Sequence, residues 1–202
     1  MLTLVTGATR SGKSEWAEHL AMRSVQQNAC KVIYIATAQR YAADHEWDAR
    51  ILKHRDRRPD SWQTLEVPID LTGTIIDLFQ SSLNSEGYPE KDSHHEPTHI
   101  LVDSLGTWVA NLLEVDDPDW LKQEQELLQS LESIISRNNF KLTFVSEEVG
   151  WGIVPAYASG RKFRDRLGAI SRKIGAIANH VYLVTGGHAL DLTQFGEKLP
   201  QP

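Results

Sequence analysis

Cysteine is nearly absent: Cys30 stands alone in 202 residues, which excludes an internal disulfide and a multi-cysteine zinc site. Long apolar runs are missing too, and no stretch approaches the roughly 20 residues of a membrane span. Positive charge is in deficit, with 21 Lys and Arg against 27 Asp and Glu and a formal net charge of −6. That balance argues against a general nucleic-acid binder, which needs a broad basic field. The opening MLTLVTG reaches Gly7 too early for a signal peptide and lacks its basic lead, so a cytoplasmic protein is expected. Internal repeats, domain linkers and the N-K-x-D base-recognition motif of regulatory GTP switches are also absent.

What remains is ordinary in bulk and specific in detail. Hydrophobic residues make up 41% and charged residues 24%, enough for one domain with a real core. Short apolar runs alternate with helical patterns, which predicts an α/β fold: a mostly parallel sheet flanked by helices, with ligands at the strand C-terminal ends. Strands are predicted at 2–5, 31–37, 63–67, 99–104, 141–149 and 180–187. The runs KVIYIAT and HILVDS are nearly continuous in apolar residues, as in strands covered on both faces. Helices are predicted from Lys13 to about Gln27, Asp44 to Lys53, over 71–83, Leu105 to Leu113, Trp120 to about Arg137, and Ser159 to Ala178. Residues 84–98 read as a loop. Residues 1–192 read as a single nucleotide-binding catalytic domain, and 193–202 as a tail without ordering signals.

GATRSGKS (7–14) fits G-x-x-x-x-G-K-[ST] and lies between a predicted strand and helix, the context the phosphate-binding loop requires. Glycines let the backbone of Gly7, Ala8, Thr9, Arg10, Ser11 and Gly12 turn so that N–H groups face phosphate oxygens. Lys13 then reaches the β and γ phosphates, Ser14 supplies a hydroxyl to Mg²⁺, and the helix adds its positive end. Such a loop calls for an acidic residue at a nearby strand end. Asp103 fills that place as a metal ligand, although Asp and Ser there also suit a helix N-cap. DARILKHRDRRPDSW (48–62) is the other singular stretch, with His54 among Arg50, Lys53, Arg55, Arg57 and Arg58. It is either a solvated helix end or a site for one small polyanion.

Taken together, TGATRSGKS, YIATAQ (34–39), DHEWDARILKHRDRRPDSWQTLEVP (44–68), ILVDSLGTWVANLL (100–113), VSEEVGWGIVP (145–155) and RKFRDRLG (161–168) resemble one family. It is that of the bifunctional adenosylcobinamide kinase / adenosylcobinamide-phosphate guanylyltransferases of cobalamin biosynthesis. The resemblance implies a P-loop NTPase-like fold and two reactions. ATP or GTP phosphorylates adenosylcobinamide, and GTP then gives GMP to that phosphate through a covalent GMP-histidine, here His54. A neutral imidazole suits that nucleophilic task, and flanking cations favour the unprotonated ring and the polyanion. By the same match Arg55, Asp56, Arg57 and Arg58 line the GTP site, Glu66 accepts from guanine, and Thr37, Ala38 and Gln39 lie near the nucleotide.

The resemblance also implies a homo-oligomer, with a trimer favoured. Glu147, Glu148 and Trp151 could stand beside the substrate, or Trp151 could belong to the core. RKFRDR could hold a phosphate or be a solvated helix face, and His94-His95 reads as a solvated loop pair. Ser171-Arg172 stands where the family usually has Asn-Gln, and Asn179-His180 where Ala-Asp is usual. Trp47 and Trp151 replace common methionines, and GATR lacks a second glycine. Two other readings stay open: a P-loop small-molecule kinase without guanylyl transfer, and a non-catalytic GTP-binding protein.

Overall fold

A computed structural model describes residues 1–39, 55–81, 97–136 and 140–200. The predicted helix over 44–53, His54 and most of the predicted loop over 84–98 lie outside the described residues.

Seven described strands form one sheet: β1 (Leu2–Gly7), β2 (Lys31–Ala36), β3 (Gln63–Glu66), β4 (Thr98–Asp103), β5 (Phe140–Glu147), β6 (His180–Thr185) and β7 (His188–Asp191). The described helices are α1 (Lys13–Asn28), α2 (Leu71–Gln80), α3 (Leu105–Asn111), α4 (Asp117–Ile135), α5 (Ala158–Ile177) and the single turn α6 (Leu192–Phe195). The sheet order is β3-β2-β4-β5-β1-β6-β7. Among these strands every pairing is parallel except β6 with β7. The α/β, mostly parallel architecture is the one the alternating pattern predicts. β7 and α6 carry no strong periodicity and are not predicted. The Gly186-Gly187 turn, with φ of 56° and 77°, folds β7 back onto β6, and α6 extends to Phe195, inside the 193–202 stretch.

The strand patterns explain the layers. All six residues of β1 are buried, as are the middle four of β2 and β4, so each face needs its own cover. On one face Val5 packs with Ala17 and Ala21 of α1, and with Tyr34 and Trp62. On the other, Leu4, Ile35 and Phe144 meet α2, α3, α4 and α5 through residues such as Ile75, Trp108, Leu131 and Ile170. Along α4, Leu127, Leu131 and Ile134 face the core, with Leu128 and Ile135 packed at its margin.

Register then aligns the functional ends. Ala36 of β2 pairs with both Glu66 of β3 and Asp103 of β4, and Asp103 pairs with Val145 of β5. Gly7 of β1 pairs with Glu147, two residues further on. Glu66, Asp103, Glu147 and the start of the glycine loop therefore share one edge of the sheet.

Candidate active site: the phosphate loop and the strand-end carboxylates

Each glycine of the loop answers a different demand. A Cβ on Gly7 would lie 2.5 Å from the Val184 carbonyl oxygen and 2.6 Å from Ser11 Oγ, so Gly7 permits the close approach of β6. Gly12, the N-cap of α1, has φ 94°, a left-handed conformation that side chains resist. Arg10 adopts φ 61°, and Ser11 N–H closes the turn onto Ala8 O at 3.1 Å. The loop ends where α1 begins, so the unpaired N–H groups of the first helical turn face the same space. Lys13 is 6% exposed, and its Nζ donates a long 3.4 Å contact to Ala8 O. Its ammonium thus lies along the loop, with donors directed at the volume the loop encloses. Ser14 follows on the first turn of α1.

Asp103 stands at the end of β4, where Oδ2 accepts a 2.8 Å hydrogen bond from the Tyr34 hydroxyl. The helix N-cap is Ser104 and not Asp103: Ser104 Oγ accepts from Thr107 N–H at 3.3 Å in a capping box. That division of labour leaves the Asp103 carboxylate out of the cap. Burial and the nearby Asp103 carboxylate both push the Tyr34 hydroxyl well above its usual range, so it stays a donor.

Glu147 ends β5, and its Oε2 accepts from Gly106 N–H, the second residue of α3, at 3.0 Å. Its pKa is raised: desolvation dominates and the Asp103 charge adds to it, against the opposing pull of Lys13. Glu148 accepts from Thr6 Oγ1 at 2.6 Å through Oε1. Ser14, Asp103 and the two glutamates offer only oxygen donors, the hard set that suits Mg²⁺ shared with phosphate. Among the described residues no group of three or more His, Cys, Asp or Glu forms a metal cage.

The basic stretch resumes at Arg55, exposed beside Asp56 at 3.6 Å. Arg57 donates to Glu15 at 2.7 Å and Glu18 at 3.2 Å on α1. Glu18 is held above its usual pKa by desolvation, with Arg57 opposing. Arg58 lies 3.8 Å from the Tyr34 ring centroid and donates to Thr64 at 3.1 Å. A chain of contacts thus runs from Arg58 through Tyr34 to Asp103. Glu66 is exposed at the end of β3.

Thr37 is fully buried, and its hydroxyl donates to Ser104 O at 2.7 Å and accepts from Ser104 N–H at 2.9 Å. It acts as a latch between β2 and α3; Asn111 adds to it by donating to Thr37 O and Pro68 O. Ala38 and Gln39 follow at the same sheet edge. RKFRDR is mostly structural: Arg166, 5% exposed, donates to Leu112 O, Val115 O and Asp117 and so closes the end of α3. Trp151 is 83% exposed and outside the core. The departures at Ser171 and Asn179 are structural as well. Ser171 bonds Ser146 at 2.6 Å, and Asn179 Oδ1 accepts from Leu2 N–H at 2.7 Å. Gly106, Tyr34 and Thr6 are site residues that sequence reasoning does not single out; only their places before or after strand-end polar residues could mark them.

Residues 3–192 match the family described as cobinamide kinase / cobinamide phosphate guanyltransferase. The chain belongs to that family. Among relatives, it is 37% identical over 193 residues to the Bifunctional adenosylcobalamin biosynthesis protein CobP of Pseudomonas aeruginosa, covering 95% of this chain and 97% of that one. It is 36% identical over 197 residues to the Bifunctional adenosylcobalamin biosynthesis protein CobU of Escherichia coli, covering 93% and 97% respectively. Among solved structures, one ATPase domain superposes with a TM-score of 0.53 at 9% identity. The match covers 90% of this chain and 68% of that one, a likeness of fold alone. The strand-end carboxylates and the glycine loop of this cobinamide kinase / guanyltransferase family member thus sit on a sheet also used by an ATPase. No described helix is long and apolar enough to cross a membrane.

Proposed function

We propose that this chain phosphorylates adenosylcobinamide with ATP or GTP and then transfers GMP from GTP to that phosphate, through a guanylylated His54. The observation that carries the reading is a complete phosphate loop at the sheet edge of Asp103 and Glu147, in a chain that matches the family over residues 3–192.

In the first transfer Lys13, the loop N–H groups and the start of α1 hold the β and γ phosphates. Ser14 and Asp103 would hold Mg²⁺, which would neutralise charge on the phosphates. The acceptor hydroxyl oxygen bonds to the γ-phosphorus and the nucleoside diphosphate leaves. In the second, an imidazole nitrogen of His54 bonds to the α-phosphorus and pyrophosphate leaves; the acceptor phosphate oxygen then displaces the histidine. Glu66 accepts from guanine N1–H and the exocyclic amine, and Arg55 and Arg58 add positive charge. Arg57, tied to Glu15 and Glu18, fixes the chain three residues beyond His54 against α1. The two transfers place the reacting phosphorus differently relative to Lys13. Either GTP binds in two ways or the His54 segment moves, and a GMP-bound crystal structure separates the two. A homotrimer in the cytoplasm completes the proposal; the exposed apolar residues Ile153, Val154 and Tyr157 support self-association, which light scattering measures.

The test is incubation with GTP labelled at the α-phosphorus, without corrinoid, comparing wild type with His54→Ala. Acid-labile, alkali-stable label on wild type alone is expected. Absence of label on a wild type that still binds GTP would leave a kinase or a binding protein.

A further inference from the structure

A cavity of about 740 Å³ opens on the opposite side of β1 from α1. Its size lies within the range of small-molecule sites. Leu4 and Thr6 of β1 and Val181 of β6 form its floor, α5 one wall, and the 192–199 segment another. The void exists because Gly168, Ser171 and Gly175 line it from α5, spaced three and four residues apart on one helix face. A Cβ on Gly168 would meet no atom within 4 Å.

One end of it is lined by Glu147 and Glu148, beside the start of the phosphate loop. Glu148 lines the cavity, accepts from Thr6 Oγ1 at 2.6 Å, and donates its backbone N–H to Gly7 O at 3.0 Å. Glu147, which carries the neighbouring carboxylate, also lines it. The outer end carries Trp151, a ring left 83% exposed. Glu147 and Glu148 at the inner end accept a hydrogen bond from a neutral hydroxyl, while Arg164, Arg172 and Lys198 balance their charge around the rest of the lining. Apolar walls and an exposed indole suit a large, partly apolar body attached to that hydroxyl.

We propose that this cavity is the acceptor pocket, holding the hydroxyl-bearing arm and an adjoining apolar face of the corrinoid, with Glu148 receiving the hydroxyl proton. The proposal rests on the kinase reading above. As the hydroxyl oxygen bonds to the γ-phosphorus, the bond from that phosphorus to the bridging oxygen breaks. The nucleoside diphosphate leaves with the electron pair, and the proton passes to the Glu148 carboxylate and on to water.

Two variants test it, with phosphoryl transfer from γ-labelled GTP to adenosylcobinamide, GTP binding by calorimetry, and light scattering. Gly168→Phe adds a ring at the lining of the void, from a position where a Cβ meets no atom within 4 Å. It is expected to bind GTP within about twofold of wild type while its KM for adenosylcobinamide rises more than about tenfold. Glu148→Gln is expected to lose about 10²-fold or more in kcat, with KM little changed. A wild type that transfers phosphate alongside an equally active Gly168→Phe overturns the pocket and leaves the kinase reading standing. A Gly168→Phe variant whose assembly mass changes while its acceptor KM does not marks the groove as a contact between copies and also overturns it. A wild type that binds GTP and transfers nothing overturns both.

Discussion

Gly106→Ala puts the link between α3 and the strand-end carboxylates to a direct test. A Cβ at Gly106 would lie 2.0 Å from Glu147 Oε2 and 2.8 Å from Cδ, far inside the roughly 3.5 Å at which non-bonded heavy atoms settle. The backbone imposes no penalty, since Gly106 has no positive φ. The far end of the glutamate must therefore withdraw and release the Gly106 N–H it accepts from at 3.0 Å. A lost hydrogen bond to an ionised group costs about 1.5–3 kcal/mol, and alanine in a helix returns up to about 1 kcal/mol. The net loss of about 0.5–2 kcal/mol corresponds to a melting temperature lower by about 1–8 °C. Because Lys13 already interacts with Glu147, a displaced carboxylate competes with phosphate for that ammonium. GTP affinity is expected to fall about tenfold, the equivalent of about 1.4 kcal/mol. Calorimetric melting and a GTP titration read both effects. A variant that melts at or above wild type and binds GTP as tightly would refute the assignment of Glu147 to this contact.

Tyr34→Phe keeps the ring beneath Arg58 but removes the donor to Asp103; a loss of about 1–2 kcal/mol is expected, together with a raised Mg²⁺ requirement in the kinase assay. Arg166→Met removes the guanidinium bonds to Leu112 O, Val115 O and Asp117, while Val115 N–H stays on Leu112 O and Lys162 on Val115 O; a cost of about 1–3 kcal/mol in denaturant unfolding is expected. Glu147→Gln should lose activity without losing stability near neutral pH. Its wild-type pKa is raised, so the ionised form is the disfavoured one and its contribution to stability fades as pH rises through the folded value. The gain from glutamine should vanish toward pH 4. His99 behaves in the opposite sense: buried between Ser24 and Thr143, it is held neutral with a pKa of about 3 against 6.5. Stability is present above 6.5 and is lost as pH falls toward 3, by on the order of 5 kcal/mol in all. His99→Gln should flatten that acid limb in melts across pH 3 to 7.

The sheet was legible because each buried strand is a short apolar run that ends in a polar residue, as in HILVDS, and such runs alternate with helical periods. The loop was legible because its spacing reports backbone geometry directly. β7 and α6 were not: HALD and LTQF are too short to show a period, and tertiary pairing across the Gly186-Gly187 turn orders them. Thr37 illustrates a second limit. Its place after β2 marks a strand end, but nothing in sequence says that a residue 67 positions away would occupy its hydroxyl. The capping role weighed for Asp103 went to Ser104, one residue on, a difference of side-chain direction that spacing does not encode. RKFRDR carried charge enough for a phosphate, yet its buried arginine meets the Leu112 and Val115 carbonyls just beyond α3, a meeting of two distant segments that is visible only once the helices are packed.

The division of the sheet into two faces bears on the chemistry. Consecutive residues of β1 point to opposite sides, so Val5 packs under α1 while Leu4 and Thr6 open into the cavity beneath α5. The phosphate loop begins at the next residue, Gly7, which the Val184 carbonyl crowds from one side and Glu148 N–H ties from the other. With the acceptor in the proposed cavity, donor and acceptor would lie on opposite faces of one strand and meet at its end, so that an incoming oxygen and a departing one could lie on opposite sides of a phosphorus. In-line displacement requires that arrangement. A buried parallel sheet would supply it without a second domain: alternation along β1 separates the two faces, and the missing side chain at Gly7 makes room for Val184 O and Ser11 Oγ where they meet.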